Sequence, residues 1–191
     1  MKFAIIVVDM LKDTYNGPPE HRIIREFRSI VPRIQNLVTE ARKLQGLIVY
    51  ANDSFLAEDF LFRGRMARHA IRGTPGAEVI DELPIMEGDI VLPKRRFSAF
   101  FKTDLDMTLR TFGMDTIAVT GLTTEVCVLS TVLDGLANDF NSILISDCCA
   151  SRSREAHNAV VAAFSRFPTY PTLRVRTAEE FLEEARKGAI L

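Results

Sequence analysis

The sequence predicts one α/β domain built on a parallel β-sheet, and three observations carry that prediction. Apolar, β-branched segments alternate with segments of helical period about six times. The strand segments are short continuous apolar runs rather than alternating ones, the pattern of strands buried on both faces. No linker, repeat or composition shift interrupts the 191 residues, so residues 1–191 read as a single domain.

Phe3–Val8 is the first such run and ends at Asp9. Asn16-Gly17-Pro18-Pro19 marks a loop. Over residues 21–44, Ile23, Ile24, Phe27, Ile30, Ile34, Leu37, Val38, Ala41 and Leu44 recur at helical spacing. Pro32 lies inside that pattern and predicts a break or kink near Ile30 or Val31, because proline lacks the donor and crowds the preceding turn. Gly46 closes the helix, and residues 47–51 read as a second strand running into Asn52-Asp53. Residues 54–88 are irregular and hold a basic stretch with Arg63, Arg65, Arg68 and Arg72. Residues 90–92 form a third strand before Pro93-Lys94-Arg95-Arg96. Thr103 is placed to cap a helix to about Phe112, with Asp106 as its acidic partner, and Gly113 ends it. Strands follow at 116–120, 142–146 and 173–175, with helices at 124–138, 154–164 and 178–187.

Composition excludes several classes. Hydrophobic residues make up 47% and charged residues 26%, which argues for a globular chain over a disordered one. The formal net charge of -1 gives no drive toward nucleic acid or a membrane surface. No apolar run is long enough to span a bilayer. The opening MKFAIIVVDM lacks the shape of a signal peptide, so a cytoplasmic protein is expected. The cysteines, Cys127, Cys148 and the adjacent Cys149, are odd in number and suit a reducing compartment; the last two read as buried filler.

In a parallel sheet, ligands sit beyond the carboxyl ends of the strands. Asp9, Asp53, Lys94, the segment 121–127 and Asp147 stand there. Cys127 lies between a strand and a helix, where the helix dipole and free N–H groups favour a thiolate and can hold an oxyanion. It could equally be a small apolar filler. Asp9 could accept a thiol proton, or cap a helix. Lys94 could stabilise a thiolate and keep Asp9 ionised, or be a solvated lysine beside Arg95 and Arg96. Together the three supply an acid, a base and a nucleophile at three strand ends.

Four segments in order carry a resemblance. They are Ile6-Val7-Val8-Asp9-Met10; His69-x-x-x-Gly73-Thr74-x-Gly76-Ala77-Glu78; Lys94-Arg95-Arg96-Phe97-Ser98-Ala99-Phe100; and Gly121-Leu122-Thr123-Thr124-Glu125-Val126-Cys127-Val128. Over nearly its whole length the chain resembles the isochorismatase-like cysteine hydrolases, which include nicotinamidases and N-carbamoylsarcosine amidases. The resemblance implies a three-layer Rossmann-like domain with a six-stranded parallel sheet in the order 3-2-1-4-5-6. It implies a triad of Asp9, Lys94 and Cys127 that hydrolyses a small amide or carbamoyl compound through a thioester, releasing ammonia. It further implies an oxyanion hole from the N–H groups of Thr123 and Cys127, with Leu122–Thr123 as a cis peptide. Leu122, Phe97 and Tyr15 are expected to wall the substrate pocket.

The departures from the family also inform the reading. Nicotinamidases carry Asp-x-His and a further His around a divalent metal. Here Asp53 and His69 match two positions, but Phe55 replaces a ligand. Only water, Glu58 or Asp59 could complete the set, so no metal or other cofactor is expected. Asp53 and His69 could form a plain hydrogen-bonded pair instead. Met10-Leu11-Lys12-Asp13 replaces the usual Gln-Asn-Asp-Phe after the first Asp, which argues against nicotinamide. Isochorismatases proper lack the nucleophilic cysteine, and Cys127 is present. A homo-oligomer is expected, with Phe55, Leu56, Phe60, Leu61 and Phe62 suited to an interface. Two rivals stand: a metal-dependent nicotinamidase, and a non-enzymatic binding or assembly member of the family.

Overall fold

Six parallel strands pair in the order β3-β2-β1-β4-β5-β6 in the computed structural model, which describes residues 2–18 and 20–188. They are β1 (Phe3–Val8), β2 (Leu47–Asp53), β3 (Ile90–Lys94), β4 (Thr116–Leu122), β5 (Asn141–Ala150) and β6 (Leu173–Arg176). The helices are α1 (Arg22–Lys43), α2 (Leu105–Thr111), α3 (Leu129–Ala137), α4 (Arg154–Phe164) and α5 (Ala178–Arg186). Every residue of β1 is buried, as its unbroken apolar run requires. Phe3, Ile5 and Val7 face α1 and α5, packing with Phe27, Ile34 and Phe181. Ala4, Ile6 and Val8 face the other layer, with Leu105 and Leu109 of α2, Val132 of α3, and Val160 and Phe164 of α4. This is the three-layer architecture and strand order that the resemblance implies. Among the described residues, no helix is long and apolar enough to cross a membrane.

The strand order sets where a ligand can sit. From β1 the chain moves one way to β2 and β3, then returns to the other side of β1 as β4. The crevice between the carboxyl ends of β1 and β4 is therefore the switch point. The register lays Val8 beside Gly121 and Ala51, and Asp53 beside Lys94.

Several elements depart from the sequence reading. α1 runs unbroken through Pro32, which is exposed, so the carbonyl left without a partner can be hydrated. Gly46 does close that helix, donating to Ala41 O at 2.9 Å. α2 begins at Leu105 behind Asp104 and has no capping box. The Thr103 hydroxyl accepts from Leu105 N while donating to Ala99 O, and Asp106 pairs with Arg110 instead. The expected helix over 124–138 opens as a five-residue π-turn, Thr124–Val128, before α3. Strands β2 to β5 run past their expected carboxyl ends, by four residues in β5.

One glycine is dictated by the switch point. Gly121 has φ +109°, and a Cβ there would stand 2.1 Å from the Val8 carbonyl oxygen. Both the conformation and the space exclude a side chain. Gly121→Ala is expected to lower the unfolding free energy by about 3 kcal/mol or more, measured by urea denaturation; a loss under about 0.5 kcal/mol would contradict this packing.

Candidate active site

Four chemistry-bearing side chains converge at the carboxyl end of the sheet. Asp9 follows β1 in a left-handed conformation, φ 52°, with its N–H on Ala51 O at 3.1 Å. Aspartate tolerates that conformation better than most residues, and the turn aims its carboxylate across β2. One carboxylate oxygen accepts the Asp53 backbone N–H at 2.7 Å, and the other accepts Lys94 Nζ at 2.8 Å. Lys94 Nζ also donates to Asp53 Oδ1 at 2.6 Å and to Arg96 O at 3.3 Å. Its three protons are thus all engaged, and its side chain is 0% exposed. Cys127 Sγ and carboxylate oxygens of Asp9 and Asp53 lie within 4.8 Å of one another. Cys127 sits inside the π-turn, and the Leu122–Thr123 peptide before it is cis.

Burial and charge set the protonation states. Burial alone would lower the Lys94 pKa, but Asp9, Cys127 and Asp53 around it raise it, so the ammonium is kept. Burial, reinforced by Asp9, pushes the Cys127 thiol well above its ordinary value despite the opposing pull of Lys94. The resting sulfur is therefore a neutral thiol, with a carboxylate oxygen of Asp9 within 4.8 Å. The sequence reading that a helix N-terminus favours a thiolate here is opposed by burial and by the charge of Asp9. Asp53 is pushed up to about 7 by burial and by Asp9, with Lys94 pulling the other way.

The other expected residues fall in several places. Tyr15 is a correction: its hydroxyl donates to Phe27 O at 3.2 Å beside Met10 Sδ, in the core under α1. Leu122 packs in the same core and is 1% exposed. Standing close to Asp9 or Cys127 along the chain does not specify which face of the sheet a side chain points to. Phe97 is partly exposed. Asp53 and His69 do not pair, since Asp53 holds Lys94 and His69 Nδ1 lies 2.9 Å from Ala67 O. Arg72 donates to Ser54 Oγ at 3.0 Å. Cys148 and Cys149 are buried within β5. His157 Nδ1 lies 2.9 Å from Thr124 Oγ1.

The nicotinamidase-type metal set does not fit these residues. Phe55 is buried with its ring edge-on to Phe62 and His69, at 5.3 and 5.4 Å between centroids. Glu58 is exposed. Asp59 is committed to Arg95 at 3.1 and 2.8 Å and to Arg96 at 3.1 Å. The Arg95 guanidinium holds its carboxyl well below the usual carboxylate range. The donor cluster that is present, Asp9, Asp53 and Cys127, already surrounds the ammonium of Lys94, whose charge opposes a second cation. Sequence reasoning read Asp53 against a metal motif and missed it as the second anchor of Lys94. The available signal was its place at a strand end next to the strand that bears Lys94.

Known proteins bear on this geometry. The chain matches the isochorismatase domain family over residues 3–180. It is 31% identical to an uncharacterized isochorismatase family protein of Bacillus subtilis, covering 97% of this chain and 95% of that one. It is 32% identical to a "probable inactive nicotinamidase" of Arabidopsis thaliana, covering 82% and 84%. Among solved structures, an isochorismatase-like hydrolase from Alkaliphilus metalliredigens superposes with a TM-score of 0.85 at 34% identity, covering 96% and 98%. N-carbamoylsarcosine amidase from Thermoplasma acidophilum superposes at 0.81 with 32% identity, covering 94% and 98%.

The charge arrangement predicts opposite effects for two substitutions. Lys94→Met removes the cation that lowers the thiol pKa, so alkylation of Cys127 by iodoacetamide at pH 7 should slow. It should also cost about 3–5 kcal/mol of stability, since buried carboxylates lose their partner. Asp53→Asn removes a negative charge that raises the thiol pKa, so alkylation should quicken. Equal rates in the two variants would show that the thiol does not sense these charges.

Proposed function

This chain belongs to the isochorismatase family, and on that premise we propose that it is a cysteine-dependent hydrolase of a small amide or carbamoyl compound. The single observation that carries the reading is the buried convergence of the Cys127 thiol, the Asp9 carboxylate and the Lys94 ammonium at the switch point of the sheet. The family's solved relatives include an N-carbamoylsarcosine amidase, which supports an amide-type substrate.

The resting charges define the roles. The thiol is held neutral by burial and the Asp9 carboxylate lies within 4.8 Å of the sulfur, so the nucleophile forms by proton transfer to Asp9 as sulfur attacks the carbonyl carbon. The carbonyl π electrons move onto oxygen, which the N–H groups of Thr123 and Cys127 receive; one such donor is typically worth about two to three orders of magnitude in rate. The oxyanion collapses, the C–N bond breaks, and Asp9 returns its proton to the leaving nitrogen, which departs as ammonia. Water then attacks the thioester while Asp9 takes its proton, and the C–S bond breaks to regenerate the thiol and release the acid. Lys94 donates to both carboxylates and has no proton left for substrate, so its role is to hold Asp9 in place.

Cys127 is only 8% exposed, which favours a small substrate. The chemistry runs on this chain's own residues and calls for no metal. We further propose a homo-oligomeric, cytoplasmic enzyme, with exposed Leu56 and Phe60 at a subunit contact. A second reading, a family member without catalysis, is favoured by the plant relative's description as inactive. The presence of all three residues of the trio, brought together at one end of the sheet, argues against it.

Ammonia release from nicotinamide, N-carbamoyl amino acids, biuret, ureido acids and aliphatic amides tests the reading, with and without chelator. Wild type should turn over at least one carbamoyl or amide compound with chelator present, and Cys127→Ala should lose the activity by about a thousandfold or more while staying folded. Turnover by Cys127→Ala at the wild-type rate would refute the thioester route. Loss of activity on chelation would support the metal-dependent rival.

A further inference from the structure

Lys94 and Cys127 are delivered by elements that do not touch in the sheet. Lys94 ends β3 at the sheet edge, and Cys127 follows β4, with β2 and β1 between them. The ladder therefore does not set the distance between the ammonium and the sulfur directly. One side chain bridges the two segments. Thr131, in the first turn of α3, is fully buried. Its hydroxyl donates to the Cys127 carbonyl at 2.7 Å and accepts the Ala99 N–H at 3.0 Å. Ala99 lies five residues beyond Lys94, in the segment whose Arg96 carbonyl takes the third proton of Lys94. The Ala99 carbonyl is in turn held by the Thr103 hydroxyl.

We propose that Thr131 is a positioning residue that ties the backbone of the nucleophile to the segment carrying Lys94. A hydroxyl is the group this place requires, because it offers one donor and acceptor capacity from a single atom. Valine has the same branched shape but would leave the Cys127 carbonyl and the Ala99 N–H without that partner in a dry interior. Serine keeps both bonds. Thr131 contacts neither substrate nor the reacting atoms, so it acts through Cys127. The inference rests on the reading of Cys127 as nucleophile with Lys94 as its cation.

The test is a double-substitution cycle read by iodoacetamide alkylation of Cys127, quantified by peptide mass so that Cys148 and Cys149 are counted apart. With Thr131 present, Lys94→Met should slow alkylation at pH 7 about tenfold, one unit of thiol pKa. In Thr131→Val that effect should shrink to under about threefold, and in Thr131→Ser it should return. Thr131→Ala serves as a second variant without the hydroxyl if valine does not fold, and melting temperatures are followed throughout. A purely structural threonine would lower the melting temperature and leave the Lys94 effect intact, and that result overturns the proposal. Absence of any Lys94 effect with Thr131 present overturns the functional reading, and this inference with it.

Discussion

The buried ammonium of Lys94 is the constraint around which the rest of this end of the molecule is organised. Taking such an ion out of water costs several kcal/mol even after relaxation. It is tolerable here because two carboxylates and one carbonyl take all three protons. Each partner imposes a condition on the chain. Asp9 must turn into a left-handed conformation to reach it. Asp53 must stay in the sheet two residues beyond the apolar run, directly beside Lys94 in register. Arg95 and Arg96 must be drawn back onto Asp59, which fixes the peptide whose carbonyl completes the set. The strand ends, the loop after β2 and the loop after β3 are in this sense one structure.

The same cluster explains why the sulfur rests as a thiol. An exposed cysteine beside a lysine would be drawn toward thiolate, but this lysine is already shared between two carboxylates. What remains of its field does not offset burial and the charge of Asp9. The resting proton therefore stays on sulfur, with the Asp9 carboxylate within 4.8 Å to receive it. Under the proposed mechanism, a permanently ionised thiolate would leave Asp9 without a proton for the departing nitrogen. Lys94 thus acts on the carboxylate more than on the sulfur.

Much of the fold is legible from the chain, for a physical reason. β1 is apolar without interruption, and β4 carries the apolar run Ile117–Val119, because both faces are covered, and such runs can hardly be read otherwise. Legibility fails at the carboxyl ends. Asn52, Asp53, Pro93, Lys94, Asp147 and Cys148 break the apolar pattern, yet they pair in the sheet. Asp53 and Lys94 are charged because the site is built from them, and Asp147 because it accepts the Ala178 N–H at the start of α5, so these roles erase the pattern that marks a strand. The strand order came from the family resemblance, since periodicity does not encode it. Tyr15 and Leu122 were misplaced for a related reason: proximity to Asp9 and Cys127 along the chain does not specify a side of the sheet, and both face α1. Thr131 left no trace in any pattern, as a buried threonine on a helix looks like any other small residue.

The loop after β2 shows how one position can change the chemistry available to the scaffold. With Phe55 in place of a metal-binding histidine, the ring is buried against Phe62 and His69, and His69 turns a nitrogen to the Ala67 carbonyl. Asp53 is then left with a single cation to balance, the Lys94 ammonium, which it meets at 2.6 Å. In a metal site that carboxylate would divide itself between metal and lysine. Here it leans wholly toward lysine and shares it with Asp9; burial first and the charge of Asp9 second push its own pKa up to about 7. Under the proposed function, a substrate would have to be held by hydrogen bonds and shape, since Phe55 stands where a metal ligand would be needed.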